Sequence, residues 1–232
     1  MQMELPGSFR HELKYRIGAA EYLALRSRLR PVMSRDGHAR GDGLYLVRSV
    51  YFDNCDDKAL REKINGVQRR EKFRIRYYND DLSFITLEKK LKYNDLCCKL
   101  DAPITEAECR ALLAGDTLWM RDHPSELVRE LYCKLRCQRL RPRVLVSYVR
   151  EPYVYAPGNV RVTFDSQIRT SLYARGFLPG EIRDVAADDA PGGAVLEVKY
   201  DAFLPEIISC LLQTEGVRRG AFSKYGVCRR FG

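Results

Sequence analysis

Residues 9–17 read Phe9-Arg10-His11-Glu12-Leu13-Lys14-Tyr15-Arg16-Ile17. Phe9, Leu13, Tyr15 and Ile17 share one parity; Arg10, Glu12, Lys14 and Arg16 share the other. Successive side chains of a β-strand point to opposite faces, so this segment builds a strand with one apolar and one charged face. The pattern returns along the chain. Residues 72–78 set Arg74 and Arg76 opposite Phe73, Ile75 and Tyr77, and residues 83–92 set Glu88, Lys90 and Lys92 opposite Ile85, Leu87 and Leu91. Residues 160–168 set Arg161, Thr163 and Asp165 opposite Val162, Phe164 and Ile168. Residues 195–201 set Glu197 and Lys199 opposite Leu196, Val198 and Tyr200. Segments 44–52 and 143–155 complete the set, with a short strand over 97–101.

An open sheet with one solvated basic face shows the same alternation. Composition favours a lumen, with the open sheet kept as the alternative. A solvent face mixes Thr, Ser and Gln with its charges, whereas these polar faces hold mostly Arg, Lys and Glu in several strands. The reading is therefore an α+β fold: an antiparallel β-barrel tunnel with a charged lumen, helices packed on the outside, and closure removing exposed strand edges. Periodicity and capping signals place the helices over 19–29, 56–64, 105–113, 124–140 and 204–213. Loops are expected over 35–43 and 183–193. No internal repeat or linker divides the chain, so residues 1–232 read as a single domain.

The 232 residues carry 40 Lys and Arg against 31 Asp and Glu, a formal charge of +9. Such an excess points to a polyanionic partner or to a solvated basic surface. At 45% hydrophobic the chain can build a core. No apolar run approaches the roughly 20 residues of a membrane span, and Met1–Gly7 carries Glu4 and no apolar signal core. A soluble, cytoplasmic protein with reduced thiols is expected. The eight cysteines include no CxxC pair; Cys133 and Cys137 are four apart on an expected helix, with no second pair to complete a metal site. His11, His38 and His123 form no usable spacing. No P-loop and no GxGxxG is present.

If the polar faces line one cavity, its bases are Arg10, Lys14, Arg16, Arg74, Arg76, Lys90, Lys92, Arg161 and Lys199. Its acids are Glu12, Glu88, Asp165 and Glu197. Arg matches phosphate oxygens with a rigid fork, and Lys offers a point charge. A few carboxylates among cations suit Mg²⁺ or Mn²⁺, which prefer oxygen ligands and bridge phosphates. These are the requirements of a triphosphate or polyphosphate site. RNA is disfavoured, because Phe73, Tyr77 and Phe164 alternate away from the Arg face and offer no stacking platform there; no nucleic-acid partner is expected.

Eight short motifs then occur in order: Arg10-His11-Glu12-Leu13-Lys14-Tyr15, Ser49-Val50-Tyr51-Phe52-Asp53, Arg74-Ile75-Arg76, Leu87-Glu88-Lys89-Lys90, Tyr148-Val149-Arg150, Arg161-Val162-Thr163-Phe164-Asp165, Leu196-Glu197-Val198-Lys199-Tyr200 and Phe222-Ser223-Lys224-Tyr225. With them the chain resembles the polyphosphate polymerase domain of the vacuolar transporter chaperone (VTC) family, within the CYTH or triphosphate tunnel metalloenzyme superfamily. The resemblance implies a metal-dependent polymerase that moves the γ-phosphate of ATP onto a polyphosphate chain, with Mn²⁺ or Mg²⁺ as cofactor. It implies that Lys14, Arg74, Arg76, Lys90, Arg150 and Lys224 grip the reacting phosphates as the catalytic set. It further implies that Arg161, Tyr148 and Ser223 bind phosphate, that Lys99 sits at the tunnel mouth or wall, and that Glu197 is the metal ligand with Lys199 beside it. Arg10 and Lys199 join the phosphate-binding group from the basic face. The expected partners are ATP and inorganic polyphosphate or triphosphate. No membrane insertion by this chain is expected, so any membrane component would be another polypeptide.

One departure bears on the activity. Tunnel triphosphatases open with ExExK, and here the run is Arg10-x-Glu12-x-Lys14. A cation replaces the first acid, which favours binding phosphate over activating water. A tunnel triphosphatase and a non-catalytic polyphosphate-binding module stay open as alternatives. Glu12 and Glu88 read as carboxylates that orient the cations, and Tyr51-Phe52-Asp53 as a strand end with no chemistry. Lys92, Arg169 and the pairs Arg218-Arg219 and Arg229-Arg230 read as solvated or mouth-side charges.

Overall fold

The alternation of the N-terminal segment forms strand β1 (Arg10–Ile17), followed by helix α1 (Ala19–Leu29) with the bounds expected from its apolar spacing. The computed structural model describes residues 8–37, 41–172, 176–180, 184–187, 192–214 and 219–231. Met1–Gly7, residues 38–40, 183 and 188–191 of the two expected loops, and Arg218 lie outside them. After α1 come β2 (Ser34–Arg35), β3 (Tyr45–Asp53), helix α2 (Lys58–Ile64) and the long strands β4 (Arg69–Tyr78), β5 (Asp81–Tyr93) and β6 (Leu96–Ile104). Helices α3 (Glu106–Ala114) and α4 (Glu126–Cys137) lead to β7 (Arg141–Tyr155) and β8 (Val160–Leu172). The chain ends with β9 (Val185–Ala186), β10 (Ala194–Tyr200) and helices α5 (Glu206–Leu211) and α6 (Lys224–Cys228).

Local chemistry explains most boundaries. Thr105 and Glu108 form a reciprocal capping box on α3, and Gly115 at φ 91° closes it. Helix α4 is shorter than the expected 124–140. Pro124 precedes its N-cap, and Arg139 at φ 55° lies outside helical conformation. Strand β6 runs beyond the expected 97–101 and includes Pro103, which pairs with Thr86 of β5. On its other side β6 pairs with β1 only at Leu96 and Cys97, so the missing N–H of Pro103 breaks no ladder there. The two-residue strand β9 lies within the expected loop 183–193, and β2 overlaps the start of the expected loop 35–43 at Arg35. Helix α6, five residues long, is too short for periodicity to reveal.

Every strand pairing among the described residues is antiparallel, which gives an α+β fold. The order β7-β3-β4-β5-β6-β1-β10-β8 returns to β7 through a direct β7–β8 ladder, so eight strands form a closed ring. Two apolar clusters cover its outer face. Under α3 and α4 lie Phe73, Ile75, Tyr77, Ile85 and Leu87, and under α1 and α5 lie Val162, Phe164, Leu196 and Val198. Among the described residues no helix is long and apolar enough to cross a membrane.

Two inward-facing features depart from the sequence reading. Gln167, at φ 51°, is an extra residue in β8: Ser147 pairs with Arg169 while Val149 pairs with Ser166. This β-bulge flips the strand, so Ile168 leaves the face of Val162 and Phe164 and turns inward. It meets Val144, Val146 and Val195, which are covered by Tyr225 and Cys228 of α6. One helix thus packs on the inner face instead of the outside. Asp53 anchors it, taking the Tyr225 hydroxyl at 2.5 Å and the amides of Ala59 and Leu60 of α2. The Ser49–Asp53 motif therefore has a structural use: it ties α2 and α6 to the end of β3.

Candidate functional site

All eight ring strands and α6 contribute to one cavity of about 440 Å³. Its lining holds fourteen lysines and arginines against three glutamates, an excess larger than the net charge of the whole chain. Strand parity explains the concentration: in each strand the alternate residues that do not pack under the outer helices point here. Lys14, Arg74, Arg76, Lys90, Arg150 and Lys224 meet in it, together with Arg10, Lys99, Tyr148, Arg161, Lys199, Ser223 and Glu197. Of the polar-face residues assigned to a lumen, Arg16 and Asp165 lie outside the lining. Arg16 is exposed, with its guanidinium over the Phe222 ring, and Asp165 is fully buried beneath the floor.

The floor is a network of charge-assisted hydrogen bonds. Arg150 makes a two-pronged contact with Asp165, 2.6 Å in each prong. Lys224 bridges Asp165 and Glu197, again at 2.6 Å each. Lys14 lies 3.2 Å and Arg150 3.6 Å from Glu197. Burial raises the Glu197 carboxyl, but Lys14, Lys224, Lys199 and Arg150 overcome it and hold it well below the usual carboxylate range. The Tyr148 ring lies under Lys224 and Arg150, with centroid distances of 4.8 and 5.2 Å.

One wall repeats the device. Glu88 receives Arg74 Nε at 2.6 Å and Nη2 at 2.5 Å, with Lys99 at 3.6 Å and Arg76 at 3.7 Å. Burial pushes the Glu88 carboxyl up, and Arg74 followed by Arg76 and Lys99 pull it far down. Arg74 also donates to the Tyr51 hydroxyl, and Arg76 donates to Ser49 and to the Tyr148 hydroxyl. Glu12 holds Lys90 at 2.7 Å and faces Lys14 and Lys199 at 3.7 and 3.6 Å. Burial lowers Lys199 against the pull of Glu12 and Glu197, to about 8. Arg10 pairs with Asp201 at 2.7 Å and Arg161 with Asp36 at 2.7 Å. Ser223 caps α6 by accepting from the Gly226 amide, a role that leaves its O–H proton available to donate.

Several lining residues escaped the sequence reading. Tyr51 reads as part of a strand end, yet its hydroxyl accepts from Arg74 at 2.8 Å. Lys72 and Arg70 share the parity of Arg74 and Arg76, and that parity was the signal available for them. Lys63 reaches the cavity from α2, which no local pattern announces. Arg229 is not a solvated charge: it is buried on Asp57. Cys133 and Cys137 are exposed, and no three His, Cys, Asp or Glu residues converge among the described residues.

The model of the VTC domain matches residues 9–231. The chain belongs to the VTC domain family. No functionally curated protein matches this VTC domain. Solved structures similar to it include a candidate adenylate cyclase from Bacillus halodurans, at 17% identity over 83% of this chain and 80% of that one, TM-score 0.49. The PH1012 protein of Pyrococcus horikoshii aligns at 14% identity over 90% and 94%, TM-score 0.45. A conserved hypothetical protein of Pyrococcus furiosus aligns at 16% over the same shares, TM-score 0.45. Likeness at this level says nothing of the VTC domain's substrate or activity.

Proposed function

We propose that the closed ring works as a tunnel barrel whose basic cavity holds a triphosphate or polyphosphate chain, and that the domain transfers the γ-phosphate of ATP to a growing polyphosphate chain. The observation that carries this reading is the cluster of fixed cations on every side of one cavity. Like charges so close repel, and a polyanion relieves that repulsion while using their hydrogen-bond donors. Phosphoryl transfer asks the protein chiefly for positioning and charge neutralisation. In this reading Arg74, Arg76, Lys90, Lys14, Arg150 and Lys224 grip the reacting phosphates. Arg10, Lys99, Arg161 and Lys199 neutralise the flanking ones, and Tyr148 and Ser223 donate hydrogen bonds. Arg10 favours the polymerase over a triphosphatase, because it puts a cation where water activation wants an acid.

Glu197 fits a divalent ion in one way. Lys224 and Lys14 already face its carboxylate, so it would hold Mn²⁺ or Mg²⁺ together with phosphate oxygens, as one-carboxylate sites do. The bound ion would add neutralising charge at those oxygens. Glu12 and Glu88 keep the cations in place and are not its ligands.

The deciding experiment incubates the purified protein with ATP and Mn²⁺, separates products on a gel and assays orthophosphate. A polyphosphate ladder with matching ADP, lost in Glu197→Gln, is expected. Orthophosphate without chains would overturn the polymerase in favour of a triphosphatase. Neither product, with metal-independent binding of added polyphosphate, would overturn it in favour of a binding module.

A further inference from the structure

Four cations of the cavity are arranged unlike the others. Lys63 of α2, Arg70 and Lys72 of β4 and Lys92 of β5 line it where β4 begins, each half-buried. The β4–β5 register sets Lys72 opposite Lys90 and Arg70 opposite Lys92. Directly opposed residues have Cβ atoms about 5 Å apart, and like charges there are destabilising. At the next inward-facing pair the same ladder sets Arg74 opposite Glu88, and opposite charges meet again. Among the described residues none of the four forms an ion pair with a carboxylate. Arg70 donates to the Val67 carbonyl, and the Lys72 ammonium lies 4.7 Å from the centroid of the Tyr225 ring. Arg70 is about 13 Å along the strand from Arg74, so the four continue the phosphate grip outward.

We propose that Lys63, Arg70, Lys72 and Lys92 form a second phosphate subsite, which takes the part of a polyphosphate chain that runs past Arg74, Arg76 and Lys90. The proposal rests on the reading of the cavity as a polyphosphate site and adds a preference to it: chains longer than triphosphate gain contacts that triphosphate does not reach. The physical reason is the absence of counter-charge. A cation already paired to a carboxylate gains little net field from an arriving anion, whereas four partly desolvated cations facing one another lose their mutual repulsion.

Lys72 supplies an independent readout. The groups facing it are Lys90 across the ladder, Arg70 on its own strand, Lys14 from β1, Asp53 from β3 and the Tyr225 ring from α6. Asp53 is occupied by the Tyr225 hydroxyl and by backbone amides. Burial, then Arg70, Lys14 and Lys90, push the Lys72 amine down to about 7. An arriving phosphate opposes that field and draws a proton onto it near pH 8.

The test is isothermal titration near pH 8, in two buffers of different protonation enthalpy, of tripolyphosphate and of a size-fractionated long polyphosphate. Arg70→Met with Lys92→Met is expected to lose about tenfold more affinity for the long chain than for tripolyphosphate. Removing the same charge outside the cavity, with Arg121→Ala and Arg136→Ala, is expected to leave that ratio unchanged. Long-chain binding to the wild type is expected to take up more protons than binding to Lys72→Arg, with circular dichroism confirming that each variant is folded. Equal losses for the two chains, or a proton balance unchanged in Lys72→Arg, would overturn the subsite alone. Failure of the wild type to bind either chain would overturn the reading of the cavity itself.

Discussion

The floor of the cavity around Glu197 is built by β1, β7, β8, β10 and α6, and its outer stretch around Lys72 by β4, β5 and α2 across the ring; both present lysine and arginine, with opposite electrostatics. At the floor each buried cation has a carboxylate: Arg150 and Lys224 share Asp165, and Lys224 and Lys14 share Glu197. In the outer stretch Lys72 faces Lys90, and Arg70 faces Lys92. The difference separates two tasks. Paired charges hold side chains in one geometry, which a transfer reaction needs, and much of their attraction is spent within the protein. Charges without a carboxylate partner keep their attraction for a ligand.

The sharpest way to break this contrast is to remove a floor carboxylate. Asp165→Asn leaves Arg150 and Lys224 buried with less counter-charge, and a loss of about 3–5 kcal/mol in unfolding free energy is expected from urea titration. A loss under about 1 kcal/mol would mean that the floor is not held together by its ion pairs. Next in size is a binding effect. Arg74→Ala is expected to weaken tripolyphosphate binding by about 1.5–3 kcal/mol by calorimetry, if its contact is charge-assisted; unaltered binding would remove Arg74 from the grip.

The two regions also answer differently to pH. Glu88, Glu197 and Glu12 are held below the ordinary carboxylate range in the fold. Their contribution to stability is present above the unfolded-state value, and it is lost as pH falls through the folded values. Lys72 works the other way. Its folded value of about 7 lies below that of an unfolded lysine. Between the two the unfolded chain binds more protons, and stability attributable to Lys72 rises as pH climbs from about 7 toward 10. Thermal melts across that window should show a shallower rise in Lys72→Met than in the wild type. The smallest expected effect is Lys92→Met on unfolding free energy, within about 0.5 kcal/mol. A large loss there would show that the outer cations are structural after all.

How much of this was legible depended on the range of the interaction. The Arg74/Arg76 and Lys90 faces were readable because strand parity is a property of consecutive residues. The same rule failed at Ile168, where the extra residue Gln167 reverses the parity within the strand. Lys72 has the parity of Arg74, but its place in the site depends on Lys90 standing opposite and on Tyr225 arriving from the other end of the chain. Asp53 looked like a strand end; its partner Tyr225 lies 172 positions away. The inner packing of α6 was illegible because a helix of five residues carries too little pattern to show which face it buries.

By itself the sequence determined which residues would be charged on one strand face and apolar on the other, and hence that a basic surface would exist and what class of ligand suits it. Backbone geometry makes that a local consequence of side-chain order. Tertiary structure alone decided that eight strands close through the β7–β8 ladder, that α6 turns inward, and which cations receive a carboxylate. Those outcomes depend on register between segments far apart in the chain. A shift of one residue moves a side chain to the other face, so the pairing of charges is set only when the strands meet.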